Sequence, residues 1–184
     1  GNHQPWCAMY PAIAAAAACA WGAAPAEERV CDALDRFVFI DASGEFSRAL
    51  CALGRADPVQ KLFCFYHKMF FAPPADAEKL AAECGFDFGA IEGAADFAFA
   101  LSENSSPRCR DAEICRAEVS LGVQMIKWAM RKARGDFAAD SREQRKSLKL
   151  IAAQYEDLWL ERAAVGGLAE SAGRIRALRP DLFS

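Results

Sequence analysis

The chain has 184 residues, of which 53% are hydrophobic and 26% charged, the balance of a chain that folds around a core, with or without a short appendage. A formal net charge of −3 and a pI near 5.5 leave no excess of Lys and Arg to neutralise a phosphate backbone or an anionic bilayer, so nucleic acid and membrane are not expected partners. Eight cysteines (Cys7, Cys19, Cys31, Cys51, Cys64, Cys84, Cys109, Cys115) form no C-x-x-C pair. Several fall on the apolar stripes of predicted helices, which suits thiols used for packing in a reducing, cytoplasmic setting.

The opening Gly1-Asn2-His3-Gln4-Pro5-Trp6 reads as the middle of a longer sequence. The 22 residues from Pro5 to Ala26 carry no charge. They are mostly Ala, broken by Pro5, Pro11 and Pro25, and no basic segment precedes them. That argues against a membrane span or a signal sequence and for a helix buried inside a larger body.

Pro11 suits the first turn of an Ala-rich helix ending at Trp21-Gly22. Pro25 with Glu27 and Glu28 opens a second, with Val30, Leu34, Phe37 and Val38 on its buried face. Asp41 to Gly44 is turn-like, and Phe46, Ala49, Leu50 and Leu53 mark a third helix ended by Gly54. Asp57-Pro58 caps a fourth, lined by Val59, Leu62, Phe63, Tyr66, Met69 and Phe70 and stopped by Pro73-Pro74. Asp76 caps a short helix to Gly85, and a weaker pattern runs from Phe88 to Leu101 before the Asn104-Ser105-Ser106-Pro107 break. Ser106-Pro107 opens a long helix carrying Ile114, Ala117, Leu121, Met125 and Trp128, which ends near Gly135. The cations Lys127, Arg131, Lys132 and Arg134 at its end read as a solvated terminus that complements the helix dipole. Ser141 and Gln144 resemble a capping box before Leu148, Ile151, Ala152, Tyr155, Leu158 and Trp159, and Gly166-Gly167 closes that helix. A last helix with Leu168, Ile175 and Leu178 stops at Arg179-Pro180. No sustained period-2 run is present, Phe37 to Ile40 being too short to found a sheet. The expectation is an all-α domain of about eight or nine helices in an orthogonal or bundle-like arrangement.

The chemistry-bearing patterns are missing. No G-x-S-x-G elbow, glycine-rich phosphate loop or H-E-x-x-H occurs. Cys64 and His67 stand three apart, but the chain has only two histidines and no second close pair, so neither a metal nor a cofactor is expected. A small helical enzyme built on Cys64 and His67 would lack a group to orient the base. Phe63, Tyr66 and Phe70 share a core stripe, whereas Phe65 falls off it and is free to meet a neighbouring domain. Tyr155 and Trp159, at i, i+4, read as packing along one helix face.

Two segments carry a resemblance. Gly1 to Trp6, with Tyr10-Pro11 and Trp21-Gly22, resembles the last barrel loop and closing helix of bacterial members of glycoside hydrolase family 20, the β-N-acetylhexosaminidases. Tyr155-Glu156-Asp157-Leu158-Trp159-Leu160-Glu161-Arg162, with Gly166-Gly167-Leu168 and Ser171, is similar to the closing motif of the helical region that follows that barrel. Leu34-Asp35-Arg36 through Phe39, Asp41 to Gly44, and Leu50 to Gly54 fit the same pattern. Ala163-Ala164-Val165 departs from it, standing where an Asn-Arg-Pro-like turn is expected.

The resemblance implies that residues 1–26 are the remnant of a truncated (β/α)8 barrel and residues 27–184 a helical C-terminal domain. The parent would remove terminal N-acetylhexosamine by substrate-assisted retention, with an Asp-Glu pair on a barrel strand. No Asp is followed by Glu here, so no catalytic residue is assigned and this chain alone is not expected to hydrolyse sugars. The resemblance places His3, Gln4 and Trp6 at the rim of the sugar site. Trp21, Phe65, Tyr155 and Trp159 are the candidate packing residues. The candidate partners are the upstream barrel and a second copy of the chain. The competing expectation is an autonomous helical interaction or regulatory module.

Overall fold

The computed structural model describes residues 6–56, 69–136, 142–163 and 165–183. Among them are eight α-helices and no strand: α1 (Tyr10–Trp21), α2 (Glu27–Leu34), α3 (Phe46–Arg55), α4 (Pro74–Cys84), α5 (Phe88–Asn104), α6 (Ala112–Ala133), α7 (Arg142–Arg162) and α8 (Leu168–Arg176). No helix among the described residues is long and apolar enough to cross a membrane. The described residues form two compact units, one of 6–56 and 93–123 and one of 69–92 and 124–183, the division falling within α5 and α6. Both sides of the 26/27 boundary lie in the first of these.

In the first unit, α2 does not continue as an α-helix. Residues Asp35–Phe39 form a π-turn that ends at Ile40 in the left-handed conformation, φ 52° and ψ 47°. A π-turn closes on i+5 instead of i+4, so the buried stripe Val30, Leu34 is carried on by Phe39. This corrects the expectation for Phe37 and Val38, which are turned outward, Phe37 74% exposed. Phe39 meets Phe46 of α3 edge to face, ring centroids 4.7 Å apart, with Tyr10 of α1 stacked at 5.9 Å. Ala49, Leu50 and Leu53 complete the buried face of α3, and Val119 and Leu121 are buried on the part of α6 in this unit.

Ile40 is a β-branched residue at positive φ, a conformation that costs an L-residue roughly 1–2 kcal/mol. Its side chain is half exposed, so little burial offsets that strain. Ile40→Gly is therefore expected to raise stability by about 0.5–1 kcal/mol after the glycine's greater unfolded-state entropy is subtracted. A lower urea midpoint for the variant would contradict this.

α6 begins at Ala112 and not at Ser106-Pro107. The preceding residues are tied to the π-turn instead. Ser106 N–H donates to Asp41, while the Arg108 and Cys109 amides both donate to the Phe39 carbonyl at 2.9 and 3.0 Å. Tertiary bonds thus hold residues 105–111 in an irregular turn, a competition that periodicity does not register.

In the second unit, α4 starts one turn before expectation, at Pro74, whose missing N–H costs nothing at N1. Asp76 lies within its first turn, favourable to the helix dipole, and Gly85 closes the helix at φ 63°. The core joins Phe70 and Trp128, centroids 5.0 Å apart, to Met125, Met130, Leu148 and Ile151. At the end of α6, Arg134 pairs with Glu92, but Lys132 is 1% exposed, correcting the expected solvated cation cluster. The stems of α6 bury Lys132 beside Trp128, its ammonium 4.8 Å from the indole centre.

Candidate functional site

Two carboxyls, Asp35 and Asp41, organise the junction from Asp35 to Ser47 in the first unit. Asp41 sits just before α3 and accepts bonds from the amides of Ser43, Glu45, Phe46 and Ser106 and from the Ser43 hydroxyl, all between 2.8 and 3.2 Å. It therefore supplies the partner for otherwise orphaned donors at the helix start. Burial works to raise the Asp41 pKa, but the bonds from Ser43, Phe46 and Ser106 outweigh it and hold the carboxyl below its ordinary value. Asp35 accepts both the amide (3.1 Å) and the hydroxyl (2.7 Å) of Ser47. There burial dominates over those bonds, and its pKa is raised. Two carboxyls in one turn are thus driven in opposite directions by solvation and donor number. Both are engaged in holding backbone.

The thiols are no better placed for nucleophilic chemistry. Cys31 and Cys51 approach to 3.5 Å between sulfurs, and burial followed by that contact pushes Cys31 up to about 12. Burial also raises Cys51. The hydrogen bond with Cys115, burial, and the Glu118 charge raise Cys7 well above an ordinary thiol. Burial, the Cys115 thiol and Asp111 raise Cys109 to about 11. A nucleophilic cysteine needs a depressed pKa, and each of these is shifted the other way.

A third feature is an apolar surface. α1 buries none of its twelve residues, Trp21 being 93% and Ile13 56% exposed. Phe37, Val38 and Ile40 on the π-turn are also outward.

Of the candidate rim residues, His3 and Gln4 lie outside the described residues, and Trp6 is half exposed with its amide donated to Glu118. Phe65 also lies outside them, as do Cys64, His67 and Ser141. Among the packing candidates, Trp21 is exposed, whereas Tyr155 is buried. Trp159 lies tilted against Tyr155, ring centroids 6.0 Å apart, and its ring borders Gly167, where an added Cβ would meet it at 3.5 Å, an ordinary contact. Gly167 is at φ 81°, so the left-handed backbone of the Gly166-Gly167 break, read from sequence as a helix stop, is what calls for glycine there. The sequence reading missed Asp35, Asp41, Glu118 and Lys132. An acidic residue a few positions before a helical stripe is the one available signal, and it points to Asp41 alone.

Compared with protein-family models, curated proteins and solved structures, the chain matches none. The reading of function therefore stands on residues and geometry.

Proposed function

We propose that this chain is a non-catalytic helical domain of a glycoside hydrolase family 20-like protein, packed against a (β/α)8 barrel that would remove terminal N-acetylhexosamine residues. The observation that carries the reading is α1. An uncharged, Ala-rich helix that buries none of its own residues exposes a surface of the kind that marks a protein interface. Trp21 and the outward Phe37, Val38 and strained Ile40 add to the area such an interface would cover, since strain tends to be kept where it serves a contact. The motif resemblances at Gly1 to Trp6 and at Tyr155 to Arg162 supply the identity of the neighbour. On this reading Trp6, with His3 and Gln4, borders the sugar site of the barrel, and the helical domain itself performs no bond cleavage.

The test is to express the chain alone and joined to the barrel encoded ahead of it in its gene. The chain alone is expected to bind a hydrophobic dye or self-associate, both effects falling several-fold in a Trp21→Ser, Phe37→Ser variant. The joined protein is expected to bind no dye and to release N-acetylhexosamine. A dye-silent monomer from the chain alone, or an upstream gene segment with no βα alternation and no Asp-Glu pair, would leave the interaction-module reading in its place.

A further inference from the structure

The turn ahead of α6 and that helix's first turn bring sulfur and carboxylate ligands to one point in the first unit. Cys109 and Asp111 lie on the irregular turn that precedes α6, and Cys115 is in the first turn of that helix. Their ligand atoms all lie within 4.8 Å of one another. The turn is anchored by the two amides donated to the Phe39 carbonyl, so Cys109 is held in place by the π-turn. Cys7 arrives from more than a hundred residues away: its thiol reaches within 3.6 Å of the Cys115 carbonyl and hydrogen-bonds the Cys115 thiol. That approach is fixed by Glu118, a 2% exposed carboxylate one turn further along α6, which accepts the amides of Trp6 at 3.3 Å and Cys7 at 3.1 Å. A buried carboxylate is costly to keep. Here it holds the Cys7 thiol against Cys115, on the inner side of the cluster.

From this convergence we infer a metal site for a thiophilic divalent cation, Zn²⁺ by preference, with Cys109, Cys115 and Asp111 as its protein ligands. The dimensions fit. Three atoms no more than 4.8 Å apart leave at most about 2.8 Å from each to their centre, and a contraction of about half an ångström gives the 2.3 Å of a Zn–S bond. The donor set is soft, two sulfurs and one oxygen, which favours zinc over the hard cations that prefer all-oxygen shells. Three protein ligands leave the fourth position of a tetrahedral site to water. The cluster C-x-D-x3-C matches no common zinc spacing. This inference does not depend on the proposed hydrolase parentage.

The experiment is to titrate the whole reduced chain with Co²⁺ and follow the thiolate-to-cobalt charge-transfer band and the visible bands of tetrahedral cobalt. One equivalent is expected to saturate both. The joint Cys109→Ser, Cys115→Ser variant should lose the charge-transfer band, and Cys31→Ser, Cys51→Ser should leave it unchanged. X-ray absorption of the Zn²⁺-loaded wild type keeps the test independent of whether variants fold, and should give a shell of two sulfurs near 2.3 Å completed by oxygen. The inference is overturned by an absence of charge transfer, by a band that persists without Cys109 and Cys115, or by a shell of nitrogen and oxygen alone.

Discussion

Asp41→Ala is expected to destabilise the first unit by about 2 kcal/mol, from the capping bond to the Phe46 amide at the start of α3 and the bond to the Ser106 amide, at about 1 kcal/mol each. The Phe46 bond is buried, and those of Ser106 and Glu45 are partly buried. Hydrogen exchange at the α3 amides and a urea transition measure the effect. The pH dependence adds a second signature. Asp41 has a pKa below its unfolded value, so its contribution is fully present above the unfolded value near 3.8 and is lost as pH falls through the folded one. The alanine variant should therefore converge on the wild type in strong acid. A penalty below about 1 kcal/mol at neutral pH, or one that persists unchanged under acid conditions, would show that the five bonds to Asp41 do not hold the junction.

Lys132→Met is expected to change the slope of stability against pH in the second unit. The Lys132 ammonium donates to the carbonyls of Phe70 and Ala72 at 2.6 and 2.7 Å, capping the helical residues that end at Phe71, yet burial pushes its pKa down to about 7. The folded value lies below the unfolded 10.5, so between them the unfolded chain binds more protons and stability rises with pH. The rise is at most about 1.4 kcal/mol per unit, or about 2 kcal/mol between pH 7 and 9. Above about pH 9 the raised thiols act in the opposite sense. Their stabilisation, present below the unfolded thiol value, is lost as pH climbs through 11 to 12, where Cys109 and Cys31 titrate. Methionine fills a similar volume without a charge, so the difference between wild type and variant isolates the lysine. Parallel denaturation profiles from pH 7 to 9 would exclude it as the source.

The helices announced themselves wherever local rules acted alone. The Ala-rich α1 ends at Trp21 before Gly22, α4 closes on Gly85, and α3 shows its stripe from Phe46 to Leu53 because a proline, a left-handed glycine and an amphipathic period each act within a few residues. What was not legible depends on partners distant in sequence. The turn at residues 105–111 exists because Phe39 and Asp41, more than sixty positions earlier, take its amides. Lys132 looked like one cation among four on a helix end, and only the carbonyls of Phe70 and Ala72 make it interior. Glu118 and Cys7 are likewise unremarkable in sequence. Their significance arises from a bond that spans over a hundred residues.

The π-turn at Asp35–Phe39 gives the chain one residue more than a regular helix would use to make the same turn. The helix stops there, at the left-handed Ile40, so the extra residue acts on where Phe39 and its carbonyl face. Removing one residue between Asp35 and Phe39 would swing Phe39 off the core and carry its carbonyl away from Arg108 and Cys109. Between Leu34 and Asp41 it is the length of the segment that ties α2 to the turn ahead of α6.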